Sequence, residues 1–208
     1  NYKIAKDVGN VDIISSTFGS GASGYPLCWT DISQEKKAET IVNGYTEKNL
    51  SDLIFRFSDD PNSRKIAKAI CNNRPIYSSR DLARIIKNTN LKVRRKHHPA
   101  TLTFQALRIA VNEEIEELQK VLNDSISILG LGGRLAVITY HSIEDRLVKE
   151  FIKQGKSSCS CPPLNYECVC SKEQILRVVN KKPIIPSETE IKENPRSRSA
   201  KLRVIERI

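Results

Sequence analysis

His141, Glu144 and Asp145, with Ser142 and Arg146 beside them, follow the apolar run Leu135-Ala136-Val137-Ile138 after only Thr139 and Tyr140. Groups of this kind, gathered where an apolar run stops, can hydrogen-bond a substrate, accept a proton or orient a loop that does. A glycine turn at Gly133 feeding a nearly unbroken apolar run is how a buried parallel strand reads, and the carboxyl end of such a strand is where α/β sheets open into sites. His141, Glu144 and Asp145 are therefore the catalytic candidates. An alternative of nearly equal weight is local: the two acids favour the start of a helix expected from about Ile143 to Lys153 through its dipole, and His141 packs beneath it.

A second group lies near the amino end. Asp12-Ile13-Ile14-Ser15-Ser16 reads as a short strand running into the glycine turn Thr17 to Gly24, and Leu27-Cys28-Trp29-Thr30-Asp31 reads as another strand ending in an acid. A turn of this type lets a backbone approach a nucleotide-like ligand closely, and an acid at the next strand end can hold ribose hydroxyls. Gly19, Gly21, Ala22, Ser23 and Asp31 are the cofactor-binding candidates, although a plain glycine-rich loop accounts for the turn equally well. Four of the six cysteines form two Cys-x-Cys pairs, Cys159 with Cys161 and Cys168 with Cys170. In a reducing compartment four thiolates can hold a structural Zn²⁺; zinc sites more often use Cys-x-x-Cys, so free thiols or a redox pair remain alternatives.

The formal net charge of +10 is uneven. Arg84, Lys87, Lys92, Arg94, Arg95 and Lys96 lead into His97 and His98 without an intervening acid, and Arg196, Arg198, Lys201, Arg203 and Arg207 crowd the carboxyl end. Solvated faces explain many such runs, but two of them in one chain favour a polyanionic partner. Aromatics make up only 6% of the residues, so phosphate contacts are better supported than base stacking. RNA fits better than a membrane, because no exposed apolar helical face accompanies the basic stretches. Arg94, Arg95, Lys96, Arg196, Arg198 and Lys201 are the RNA-contact candidates. No apolar run approaches the roughly 20 residues of a membrane helix and no export leader is recognisable, so a cytoplasmic location is expected.

These groups need elements to hold them. Phe104, Leu107, Val111, Ile115, Leu118 and Leu122 step by three or four, which predicts one long amphipathic helix from Thr103. Helix, glycine turn, buried strand and following helix make an α/β repeat of doubly wound type, and Gln174 to Val179 and Lys201 to Ile205 supply two further strands. Residues 44–90 differ. They read as three short helices, one on Leu50, Leu53, Ile54 and Phe57, one opened by Pro61 after Asp60, and one capped by Ser78 with Asp81. The expected division is a partial cofactor-binding part over 1–39, an inserted helical subdomain over 40–98, and the remainder of the α/β domain over 99–208.

Three long runs, Gly133 to Arg146, His98 to Asn112 and Asn194 to Arg203, closely resemble the bacterial ribosomal RNA small-subunit methyltransferase H family, and the resemblance covers the chain from about residue 40 to its end. The resemblance implies a class I S-adenosylmethionine-dependent methyltransferase (Rossmann-like α/β) with an inserted helical subdomain. It further implies methyl transfer to the exocyclic N4 of a cytidine in the decoding centre of small-subunit ribosomal RNA. The implied partner is that RNA or the assembled small subunit; the oligomeric state stays open. Nearer the amino end the match frays. Ala22 and Ser23 stand where the family's loop usually reads Gly-His, and Ser15 stands where it has an acid. A class I fold places a helix between the glycine loop and the second strand, yet only Tyr25 and Pro26 separate Gly24 from Leu27, and the family's Asp-Leu-Gly-x-Ser-Ser segment is absent near Ala38. Either these residues represent a longer chain or the cofactor half has been lost. Under the second reading the protein is a catalytically inactive, methyltransferase-like RNA-binding or ribosome-assembly factor.

Overall fold

A computed structural model of the chain describes residues 2–5, 11–16, 38–89, 98–159, 161 and 173–208. Its strands are β1 (Tyr2–Ala5), β2 (Val11–Ser16), β3 (Arg134–Thr139), β4 (Leu176–Val178) and β5 (Lys201–Arg207). The α-helices are α1 (Ala38–Gly44), α2 (Glu47–Ser58), α3 (Ser63–Asn72), α4 (Ser79–Asn88), α5 (Thr101–Asn112), α6 (Glu114–Ile128), α7 (Ser142–Lys156) and α8 (Glu188–Glu193), with a short 3-10 helix at Pro195–Ser199. Two compact units form, Asn1–Phe18 with Ile115–Ile208, and Gly19–Glu114.

In the first unit the strands make one sheet in the order β1-β2-β3-β5-β4. Leu135, Ala136 and Val137 are all buried, so β3 is covered on both faces, as its apolar run predicts. It pairs parallel only with β2, Val11 opposite Arg134 through Ile14 opposite Val137; on its other side β5 runs antiparallel, Arg134 opposite Glu206 through Thr139 opposite Lys201. The sheet is thus mixed, not parallel throughout. Gly133 sets the entry to β3, because a Cβ there would lie 2.8 Å from the Gly130 carbonyl oxygen. The Gly133 carbonyl in turn accepts from the Arg207 N–H at 2.9 Å, locking the turn to the end of β5.

Leu118 and Leu122 of α6, Leu135 and Val137 of β3, Val148 of α7, Leu176 and Ile205 form the core of this unit. Each such side chain contributes about 1.5–3 kcal/mol on full burial. α7 approaches β4 closely enough that a Cβ on Gly155 would lie 2.3 Å from Leu176 Cδ1.

The second unit is helical in its described part. Leu50, Ile54, Ile66, Ile70, Leu82, Ile86, Phe104 and Leu107 make its core. The Ser78 hydroxyl accepts from the Asp81 N–H at 3.1 Å and caps α4 as the sequence predicts. α3 begins at Ser63 and not at Pro61, after Asp60 has turned back to accept the Asn62 N–H at 2.8 Å. The long helix expected from Thr103 is two helices. Glu113 adopts φ 51° and its N–H closes on the Ile109 carbonyl, which ends α5. Glu114 then starts α6 with its buried carboxylate 2.8 Å from Arg108 Nε and accepting from Asn112 Nδ2 at 3.1 Å. One stripe therefore serves two cores, Phe104, Leu107 and Val111 in one and Leu118 and Leu122 in the other.

Candidate functional site

At the carboxyl end of β3 the chain passes through Tyr140 and His141 into α7. His141 is the N-cap of that helix and forms a capping box with Glu144. Its Nδ1 accepts from the Glu144 N–H at 3.3 Å, and Glu144 Oε2 accepts from the N–H groups of Tyr140 at 2.8 Å and His141 at 3.3 Å. His141 Nε2 lies 3.1 Å from Glu144 Oε1, close enough for attraction but off the line a hydrogen bond requires. That nitrogen is buried with no hydrogen-bond partner among the described residues. Burial works against ionising Glu144, yet His141 beside it and the two backbone donors outweigh burial and hold its carboxyl below the usual 4.5.

Asp145 does a different job. Its Oδ1 accepts from Arg203 Nε at 2.9 Å, and its Oδ2 lies 3.4 Å from Lys149 Nζ and 3.5 Å from Lys201 Nζ. Burial again opposes the charge; the Arg203 hydrogen bond and charge, then Lys201 and Lys149, more than offset it and hold the carboxyl below 3.8. Asp145 therefore ties α7 to β5. Beside this scaffold Tyr140 is half exposed and Ser142 is exposed, so the surface of the junction carries a phenol and a hydroxyl. A search confined to His, Glu and Asp misses Tyr140; an aromatic two places beyond the apolar run is its signal in the sequence.

Residues 29–208 match the MraW methylase family. The chain belongs to that family. It is 49% identical over 175 residues to a Dehalococcoides mccartyi protein named ribosomal RNA small subunit methyltransferase H, covering 84% of this chain and 50% of the relative. A Clostridioides difficile protein of the same name is 45% identical over 183 residues, 86% of this chain and 59% of the relative. A third from Lawsonia intracellularis is 46% identical over 174 residues, 81% of this chain and 56% of the relative. The chain spans about half the length of the curated relatives it matches. Membership in the MraW methylase family implies a class I S-adenosylmethionine-dependent methyltransferase fold, and the described architecture is correspondingly mixed helix and sheet.

The remaining candidates of this family member divide between described residues and others. Gly19, Gly21, Ala22, Ser23, Asp31, Arg94, Arg95 and Lys96 lie outside the described residues, as do Cys168 and Cys170. Cys159 and Cys161 are described; the Cys161 N–H points at Cys159 Sγ at 3.3 Å, and no group of three or more His, Cys, Asp or Glu able to hold a metal occurs among the described residues. Arg196 and Arg198 are exposed on the 3-10 helix. The other tail cations are partly spent inside the protein: Lys201 and Arg203 on Asp145, and Arg207 on the carbonyls of Ile126 and Leu129 at the end of α6. No helix among the described residues is long and apolar enough to cross a membrane.

Proposed function

We propose that the protein is an S-adenosylmethionine-dependent methyltransferase acting on the exocyclic N4 of a cytidine in the decoding centre of small-subunit ribosomal RNA. The observation that carries this reading is the family match over residues 29–208, joined to relatives at 45–49% identity that are named for methylation of small-subunit ribosomal RNA. Parallel pairing of β2 with β3 supports it, because their carboxyl ends reach the same edge of the sheet. Ligands of open α/β sheets bind at such an edge. β2 leads in sequence into the Thr17–Gly24 glycine run and β3 into His141, so the chain's own order fits a nucleoside cofactor across that edge. The buried His141 Nε2, without a hydrogen-bond partner among the described residues, is a polar group left for a ligand on the same side.

Gly19, Gly21, Ala22 and Ser23 are the residues assigned to hold that cofactor, with Asp31 on its ribose hydroxyls. The bound cofactor supplies an electrophilic sulfonium methyl. A cytosine amino group is a weak nucleophile because its lone pair is delocalised into the ring, so the protein must align it, accept its N–H hydrogen bonds and draw off a proton as the new bond forms. In this proposal the His141–Asp145 segment shapes the place that receives the base. Glu144 and Asp145 are positioning residues, since their oxygens already hold the helix start and β5. Arg94, Arg95, Lys96, Arg196, Arg198 and Lys201 are assigned to the RNA backbone, and a ribosomal RNA substrate implies a cytoplasmic location.

Ala22, Ser23 and the short Gly24–Leu27 spacing favour a second reading, an RNA-binding assembly factor without activity. One pair of measurements separates the two. Mass spectrometry of ribosomal RNA from cells lacking the protein should show loss of the N4-methylcytidine, and calorimetry on the full-length protein should show S-adenosylmethionine binding. Persistence of the modified base with no second enzyme to supply it, or no binding at millimolar cofactor, refutes the methyltransferase assignment.

A further inference from the structure

Charge in the helical unit is sharply divided along the sequence. Residues 63–89, covering α3 and α4, hold seven lysines and arginines and a single acid, Asp81, whereas residues 38–62 and 98–114 hold seven acids and three such cations. Arg64, Lys65, Lys68, Arg80, Arg84 and Lys87 are exposed. Between α3 and α4 runs a groove of about 780 Å³, lined among others by Asn72, Asn73, Tyr77, Arg84, Ile85 and Asn88. That volume lies within the range of about 300–1,000 Å³ that takes a group of nucleotide size.

Tyr77 is 71% exposed, yet its backbone is held firmly. Next to it Ile76 is buried and clamped by Asn43, whose Oδ1 accepts the Ile76 N–H and whose Nδ2 donates to the Ile76 carbonyl, each at 2.9 Å. Two residues further back Arg74 donates to the carbonyls of Val42 at 2.7 Å and Tyr45 at 2.6 Å, and on the other side Ser78 caps α4. A large aromatic ring is therefore presented to solvent on a fixed loop at the mouth of the groove. Asp81 offsets one cation of this wall, pairing with Arg84 at 2.8 Å while its other oxygen accepts from the Ser78 hydroxyl at 2.7 Å, and as the single acid against seven lysines and arginines it leaves residues 63–89 strongly positive.

We propose that the α3–α4 groove binds a single-stranded stretch of RNA, with Tyr77 stacking on an unpaired base and the cations of α3 and α4 meeting its phosphates. An exposed ring can stack only on a base that is not already paired, while the amides of Asn72 and Asn88 can read base edges, and these features select single strand over duplex. The proposal deepens the RNA-substrate reading above by naming a second contact region on the helical unit.

Fluorescence anisotropy on the full-length protein, with a labelled 12-nucleotide oligouridylate and an RNA duplex of the same length, tests it. The single strand should bind more tightly than the duplex. Tyr77→Ala should weaken single-strand binding roughly ten-fold, which is about 1.4 kcal/mol and within the stacking range, without changing the salt slope; Tyr77→Phe should remain within about two-fold. Arg84→Gln should lower the slope of log affinity against log salt by about 0.7. A Tyr77→Ala affinity within about two-fold of the parent, with an unchanged melting curve, overturns the proposal, as does equal binding of the duplex. Failure here is distinct from failure of the enzyme reading: loss of N4-methylcytidine in cells lacking the protein, alongside a silent Tyr77→Ala, removes the groove alone. A working groove in a protein that binds no S-adenosylmethionine removes the enzyme alone.

Discussion

Asp145→Asn isolates the charge that joins α7 to β5. The parent carboxylate is 4% exposed and meets three cations, with Arg203 Nε at 2.9 Å. Lys149 and Lys201 have side chains 54% and 43% exposed, so each is expected to contribute at most about 1 kcal/mol and can turn to water when the charge is removed. Arg203 is only 14% exposed and loses a charge-assisted bond of about 1.5–3 kcal/mol. Stranding a fully buried ion costs about 3–5 kcal/mol, an upper bound here because water reaches part of Arg203 and the amide oxygen can still accept from it. The expected loss at about pH 7 is therefore about 2–3 kcal/mol, or a melting point lower by roughly 4–12 °C.

The pH dependence has a definite sign. The folded carboxyl of Asp145 is held below 3.8, so its stabilisation is fully present above that value and is lost as pH falls through the folded value. The gap between parent and variant should thus be constant from about pH 7 to pH 5 and close below about pH 4. Thermal melting across this range, with hydrogen exchange of the β5 amides as a local readout, measures it. A gap under about 1 kcal/mol at pH 7, or one that persists undiminished at about pH 3, refutes the assignment of Asp145 as a charge anchor.

Gly155→Ala drives a Cβ to within 2.3 Å of Leu176 Cδ1, and the overpacking should lower stability by about 1–3 kcal/mol, read as a shift in urea midpoint at unchanged slope. Glu144→Gln keeps an acceptor for the Tyr140 and His141 N–H groups but loses the charge; about 1 kcal/mol should disappear near neutrality, and the difference should close as pH falls below the usual 4.5 because the parent carboxyl is held under it. Asp31→Ala should weaken S-adenosylmethionine binding by about 1–3 kcal/mol in calorimetry on the full-length protein. Reversing Arg94, Arg95 and Lys96 to Glu should weaken RNA binding and flatten its salt dependence by about 0.7–0.9 for each phosphate no longer neutralised.

Two local signals were legible within a single element. The apolar run after Gly133 marks β3, and the Ser-x-x-Asp spacing at Ser78 marks the start of α4. The break between α5 and α6 was not legible, because one residue in a left-handed conformation leaves the three-and-four spacing of Phe104 to Leu122 almost undisturbed and Glu113 is not a breaker by type. Strand partnership was hidden for another reason: β3 and β5 are some 60 residues apart, with Thr139 opposite Lys201, and the apolar run of β3 is equally compatible with parallel neighbours on both sides.

The site shows the same division between local and distant causes. Lys201 and Arg203 resemble part of a basic face in the sequence because their acid, Asp145, lies 58 residues away from Arg203 and meets it only across the sheet edge. The capping box at His141 is concealed by its residue type, since histidine stands where serine or threonine usually marks the motif. Once the box is recognised, the chemistry of the segment narrows. Glu144 spends Oε2 on the two backbone donors and holds Oε1 3.1 Å from His141 Nε2, Asp145 spends its own oxygens chiefly on β5, and His141 spends Nδ1 on the helix start. His141 Nε2 is what remains, a buried nitrogen at the carboxyl end of β3 that faces Glu144 Oε1 at 3.1 Å without hydrogen-bond geometry. Attraction to that carboxylate offsets part of the cost of burying the nitrogen, and a ligand that accepts its N–H in line would recover the rest.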